Sequence, residues 1–247
     1  MKIDLSKSPL DILRACRGFY RRPEDANGKG IGPLVAYAGK DKKGRNYVGR
    51  VYANFAMAEE HGDVLKHFAN LLIATSPEAI CHRCVGFCGA PEGGKALATA
   101  LAIETGLGYI YPEKLVTVAK TDKSREESDL VFSRHEPKSD ETWWLVEDVC
   151  NSFSTTEKLI ALIESYGAKV GGILCFLNRS STIREGFTYK QFVPPLPIFA
   201  VVRESFDQFE QDDPSVADDV SAKNVVWKPK NDWAKLEAAM EQAEEVK

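Results

Sequence analysis

Residues 142–157 read TWWLVEDVCNSFSTTE. The aromatic and aliphatic run through Val146 predicts a buried strand over 142–148. That strand ends in two adjacent carboxylates, Glu147 and Asp148, and a loop of hydroxyl and amide side chains follows. Ser154 and Glu157 have the spacing of a capping box, which predicts a helix starting at Ser154. Loop hydroxyls and unpaired N–H groups at the positive end of a helix dipole are the parts of a phosphate site. Carboxylates would repel a phosphate they touched. They make sense beside one if they hold sugar hydroxyls or a metal ion, so the segment suits a sugar phosphate with a diol.

Outward from this segment, short strands alternate with helices. The pattern predicts a strand over 79–88, a loop Gly89-Ala90-Pro91-Glu92-Gly93-Gly94, a helix over 95–105 and a strand over 107–111. A helix over 154–166 and a strand over 169–177 follow the quoted segment. Strands separated by helices of 10–15 residues mean βαβ units. The fold class is therefore α/β, a central parallel sheet flanked by helices, with ligands at the carboxyl ends of the strands.

Upstream, residues 1–20 read as a short helix, 33–37 and 46–55 as strands, and 57–74 as a helix through Met57, Val64, Phe68, Leu71 and Leu72. Residues 119–141 are highly charged around one apolar island, Leu130-Val131-Phe132, and suit either a mobile arm or a solvated hairpin. A polar connector over 205–224, a strand-like Asn224-Val225-Val226-Trp227 and a helix from Asp232 close the chain. Three divisions are expected: an N-terminal segment 1–56, a core 57–204 with the arm 119–141, and a C-terminal extension 205–247. Trp143, Trp144 and Trp227 read as core or interface aromatics.

Across 247 residues, 44% are hydrophobic and 28% charged, a globular composition that excludes disorder and fibrous repeats. The net charge of -4 disfavours binding to a nucleic-acid backbone. No apolar run is long enough for a signal peptide or a membrane span, so a soluble, cytoplasmic protein is expected. The six cysteines sit mostly in apolar runs, as buried thiols do in a reducing compartment. Cys81-His82-Arg83-Cys84-x3-Cys88 invites a zinc reading, yet a closed site wants two separated ligand pairs and no second pair follows. No metal ligands are assigned.

Glu147-Asp148-Val149 with its Ser/Thr loop resembles the phosphoribosyl pyrophosphate (PRPP) motif of type I phosphoribosyltransferases. The surroundings are similar to the orotate branch of that family. Gly86-Phe87-Cys88-Gly89-Ala90-Pro91-Glu92-Gly93-Gly94-Lys95-Ala96-Leu97-Ala98 resembles the family's pyrophosphate loop and the helix after it. Asn178-Arg179 closes the next strand where the family has an arginine on the base side. Arg50-Val51-Tyr52-Ala53-Asn54-Phe55 resembles an early strand of its hood. The resemblance covers roughly residues 45–200 in conserved element order.

What the resemblance implies is a hood built from the N-terminal and C-terminal segments, and phosphoribosyl transfer from PRPP to a nucleobase, with orotate leading. Glu147 and Asp148 would bind the ribose hydroxyls as catalytic residues, with Lys114 from the catalytic loop. Asn151, Ser152, Phe153, Ser154, Thr155 and Thr156 would bind the 5′-phosphate. Gly89, Ala90, Pro91, Glu92, Gly93, Gly94 and Lys95 would hold pyrophosphate, with Mg²⁺ as cofactor, and Arg179 would orient the base. A homodimer is expected by analogy.

The departures are specific. Where the family loop has Thr-Thr-Gly or Thr-Ala-Gly, this chain has Asn151-Ser152-Phe153, so the Phe153 ring must turn away from the phosphate. A lysine common in orotate enzymes is replaced by Glu92, with Lys95 nearby. The Lys-x-x-Lys-x-His pattern of the catalytic loop is scattered here over Lys114, Lys120, Lys123, Arg125, Arg134 and His135. These departures keep open a second class, a PRPP- or nucleotide-binding regulatory protein without turnover. A third is a doubly wound domain for another phosphosugar.

Overall fold

The computed structural model describes residues 2–76, 84–118, 127–191 and 193–245. The chain forms two compact units, residues 1–60 with 205–247, and residues 61–204.

The first unit begins with α1 (Pro9–Ala15), capped by Ser8, whose hydroxyl accepts from the Asp11 amide at 3.3 Å. The helix expected over 1–20 is thus only seven residues long, and Phe19 belongs to a strand. Arg17 turns left-handed at φ 62, and a Cβ on Gly18 would lie 2.6 Å from the Asn54 carbonyl. That close approach lets β1 (Phe19–Arg21) leave the helix and pair with a later strand. An antiparallel pair follows, β2 (Leu34–Lys40) and β3 (Asn46–Gly49). β4 (Val51–Ala53) is the antiparallel partner of β1.

The helix expected over 57–74 is two helices, α2 (Ala56–Glu59) and α3 (Gly62–Thr75). His61 between them is extended, at φ -121 and ψ 98. Gly62 directly after it weakens helix continuity, and the periodicity of apolar residues did not register so short an interruption.

The second unit is a six-stranded sheet with helices on both faces. Its strand order is β11-β12-β10-β9-β5-β6, parallel except at the edge strand β11. In chain order the elements are β5 (Gly86–Gly89), α4 (Gly94–Thr105), β6 (Gly108–Ile110), β7 (Glu113–Val118), β8 (Glu127–Val131), β9 (Thr142–Cys150), α5 (Ser154–Ser165), β10 (Lys169–Asn178), β11 (Gly186–Phe187) and β12 (Leu196–Arg203). The strand expected over 79–88 is present from Gly86; 77–83, with Cys81 and His82, lie outside the described residues.

Alternation along the inner strands divides the core. Ile173 and Cys175 join Leu159, Ile160 and Ile163 of α5 in one cluster, while Phe176 meets Phe68 of α3 on the other face at 4.5 Å. β7 and β8 form a separate antiparallel pair. The apolar island of the charged segment is anchored: Phe132 is buried and meets Tyr166 edge-on at 5.7 Å. Residues 119–126 lie outside the described residues, with Lys120, Lys123 and Arg125 among them.

The chain then returns to the first unit through α6 (Ala217–Ser221), β13 (Val225–Val226) and α7 (Trp233–Glu245). β13 adds to β2 in parallel, and Trp233, Leu236 and Met240 pack on Tyr20 and Val35. Trp143 and Trp144 are buried, whereas Trp227 is half exposed and not a core residue. Among the described residues no helix is long and apolar enough to cross a membrane.

Candidate active site

β9 lies between β5 and β10, so its carboxyl end opens in the middle of the sheet. A cavity of about 260 Å³ forms there, lined by residues 147–156 together with Pro91, Glu92 and Gly93. One pocket therefore joins the carboxylate pair, the hydroxyl loop and the turn after β5.

Glycine makes that junction possible. A Cβ on Gly93 would stand 2.3 Å from the Asp148 carboxyl, and one on Gly94 1.9 Å from the Val146 carbonyl. Both are below any real contact, so the start of α4 can lie against β9 only because these positions lack side chains. The turn is fixed by the Ala90 amide donating to Val146 and the Gly94 amide donating to Ala90, both at 2.9 Å. Gly89 is the last residue of β5 and Ala90 is fully buried, so neither lines the cavity.

Asp148 accepts from the Val149 amide at 2.7 Å. Glu147 keeps some solvent contact, but desolvation pushes its carboxyl up to about 8. The neighbouring Asp148 charge adds to the rise, and Lys114 opposes it. Two carboxylates so placed do not both ionise readily near neutral pH, and a cation or a hydroxyl donor between them would be welcomed. Lys114 sits on β7 opposite Leu130, close enough to act on Glu147 through space but outside the cavity lining.

In the loop, the capping box expected at Ser154 does not form. The residue before α5 is Phe153, left-handed at φ 59 and ψ 14 with no side-chain cap, and its carbonyl accepts from the Glu157 amide at 2.9 Å. Ser154 is therefore inside the helix, with its hydroxyl 3.3 Å from that of Ser152. The Phe153 ring is buried and stacked on Phe187 at 5.0 Å and 17°. It occupies the conformation glycine favours while its side chain points into the core. Thr156 is buried, and Asn151 and Ser152 are exposed. The amides of the first helical turn lack intrahelical acceptors, as at every helix start.

Lys95 is not in the lining. Its ammonium meets the Glu92 carboxylate at 2.8 Å and lies 4.9 Å from the Tyr111 ring, itself stacked on Tyr109. The alternation Tyr109-x-Tyr111 at a strand's carboxyl end was the available sign of this support. Arg179 lies one residue past β10, half-buried, with its amide donating to Cys150 at 2.9 Å. It borders the loop without lining the cavity. Asn178 holds the turn beyond it by donating to Ile183 and Arg184. Arg134 and His135 are exposed and outside the lining. Sequence reasoning missed Cys150 as a lining residue and Phe187 as the support of Phe153.

Among the described residues no cluster of three histidine, cysteine or acidic side chains could hold a metal ion by itself. Glu147 and Asp148 are the carboxylates next to the cavity's phosphate-like loop. Mg²⁺ is commonly held by one or two carboxylates plus substrate phosphates, so this donor set fits an ion that arrives with a diphosphate.

No protein-family model matches the sequence. No curated protein matches it either. Solved structures do. The orotate phosphoribosyltransferase from Aeropyrum pernix is 18% identical, with a TM-score of 0.51 over 78% of this chain and 92% of that one. The UMP synthase of Leishmania donovani is 14% identical, with a TM-score of 0.53 over 95% of this chain and 42% of that one. The chain has the type I phosphoribosyltransferase fold.

Proposed function

We propose that this protein transfers the phosphoribosyl group of PRPP to a nucleobase and releases pyrophosphate, with orotate the leading base. One observation carries the reading: on this fold, a single cavity joins the Glu147–Asp148 pair, the loop 151–156 and the turn 91–93. Asp148 and Glu147 bind the ribose 2′ and 3′ hydroxyls. Residues 151–156 hold the 5′-phosphate on first-turn amides and hydroxyls. The turn 91–93, flanked by Gly89, Ala90 and Gly94, receives pyrophosphate, with Lys95 beside it, and Arg179 orients the base. Mg²⁺ bound with PRPP beside Asp148 and Glu147 would neutralise charge on the diphosphate. The transition state has oxocarbenium character, so negative charge under the ribose stabilises it more than the ground state. Lys114 tempers that charge from β7. A cytoplasmic homodimer completes the proposal.

Pyrophosphate release from PRPP with Mg²⁺, measured separately with orotate, uracil, adenine, guanine and hypoxanthine, tests it. Release with one base identifies the acceptor; silence with all five from folded protein defeats the transferase reading. A second reading, a PRPP-binding regulator, draws on the Glu92–Lys95 ion pair, which engages the lysine that follows the pyrophosphate turn. PRPP binding without turnover would select it.

A further inference from the structure

The first unit holds a larger cavity, of about 590 Å³, formed wholly by segments 22–50 and 214–224. Its inner wall contains Arg22 and Arg50, and these two guanidiniums are in opposite states. Arg22 is buried and fully engaged. Its Nε and Nη2 donate to the Gly32 and Gly30 carbonyls, and it forms a two-pronged ion pair with Asp219 at 2.7 and 2.9 Å. A guanidinium engaged at each of its three nitrogens makes a fixed floor.

Arg50 is held but not engaged. Its carbonyl accepts from the Arg22 amide at 2.7 Å, and its guanidinium lies over the Phe209 ring at 5.3 Å. That ring cannot drift, because Val48 and Phe209 exchange both backbone hydrogen bonds, at 3.0 and 2.9 Å. Among the described residues the Arg50 guanidinium has no hydrogen bond or ion pair. The carboxylates near enough to feel its charge are Asp213 and Asp219. Asp213 is taken by the amide and hydroxyl of Ser215, and Asp219 by Arg22 and Asn224. A half-buried guanidinium, stacked on one face with its N–H edge open to a cavity, is pre-oriented for a two-oxygen anion.

We infer that this cavity is a second binding site, taking a small molecule whose single phosphate or carboxylate group pairs with Arg50. Several features define the ligand. Sites for small organic molecules run to roughly 300–1,000 Å³, so the volume calls for an organic body behind the anionic head. The exposed rim sets Lys29 against Glu24 and Asp218. Those two carboxylates would repel a polyphosphate, which restricts the ligand to one anionic group. The inference is independent of the function proposed above, since every residue it uses lies outside the second unit.

The test is amide NMR on the ¹⁵N-labelled full chain, titrated separately with acetate, inorganic phosphate and AMP. Millimolar ligand is expected to shift the amides of Gly28, Lys29 and Gly30, with AMP tighter than phosphate because it also fills the cavity. Arg50→Gln keeps a side chain over Phe209 and should weaken binding about tenfold or more. Lys29→Gln, which leaves the backbone bonds of Lys29 to Asp25 in place and alters an exposed side chain, should weaken it severalfold. If acetate alone gives the shifts, the head is a carboxylate; if phosphate and AMP do, it is a phosphate. No shift at 28–30 up to about 10 mM with any of the three, or shifts that Arg50→Gln leaves unchanged, would overturn the inference. So would shifts confined to the 147–156 amides.

Discussion

Phe153 carries two opposed effects that a pair of substitutions separates. Its backbone is left-handed, at φ 59, which costs a residue with a Cβ about 1–2 kcal/mol. Its ring is buried and stacked on Phe187. Truncating a buried phenylalanine to alanine costs about 3–5 kcal/mol, part of it from the lost ring pair. Phe153→Ala loses the ring and keeps the strain. Phe153→Gly loses the ring and the strain but adds about 0.4–1 kcal/mol of unfolded-chain entropy. Both variants should therefore be less stable than the parent by about 2–5 kcal/mol, and the glycine variant should exceed the alanine variant by roughly 1 kcal/mol. That order reverses the usual advantage of alanine over glycine. Urea unfolding followed by fluorescence of Trp143 and Trp144, both in the same unit, reads the difference as a midpoint shift. A glycine variant no more stable than the alanine variant would refute the left-handed assignment. Either variant matching the parent would refute ring burial as what holds the loop.

Three further outcomes follow from the site. Asp148→Asn should lower kcat/KM for PRPP by about 10²-fold or more if the carboxylate acts on the ribose, and parental kinetics would remove it from that role. Glu147 has a folded pKa raised to about 8, so the folded state holds its proton where the unfolded chain has released it. Its contribution to stability is therefore lost as pH rises from about 4.5 to 8, and Glu147→Gln should gain on the parent by a few kcal/mol across that window. Parallel stability–pH curves for the two proteins would count against the shift. Glu92→Gln should release Lys95 and tighten pyrophosphate binding by up to about fivefold, the scale of an exposed ion pair. Weaker binding in calorimetry would show that Glu92 helps the ligand instead of competing with it.

The alternation of parallel strands and helices from Gly86 to Asn178 was legible because apolar runs and helical periodicity are local properties of the sequence. The antiparallel pair β7–β8 inserted within that stretch was not, since 113–118 gave no strand signal of its own. The grouping of Glu147 and Asp148 with the loop 151–156 was legible for the same reason: strand, loop and helix are consecutive. Local preference misled where a distant partner outweighs it. The Ser154–Glu157 spacing favours a cap at Ser154, but burial of the Phe153 ring against Phe187 is worth more than a capping bond, and it moves the helix start. The short N-terminal helix stops at Ala15 and Phe19 passes into β1, where Gly18 meets Asn54, and no pattern within 1–20 records that encounter.

The sequence by itself determined the α/β alternation, the strand that bears the carboxylates and the glycines that could admit a close approach, although β9 runs two residues beyond Asp148, to Cys150. Tertiary structure alone decided the sheet order, the antiparallel edge strand β11, and the return of residues 225–226 to pair with β2. It also decided which cations are committed. Arg22 is paired with Asp219, 197 positions away, while Arg50 is left facing a cavity. Periodicity reports which face of an element avoids water. The choice among partners depends on contacts between residues nearly two hundred positions apart, and only the packed chain brings those together.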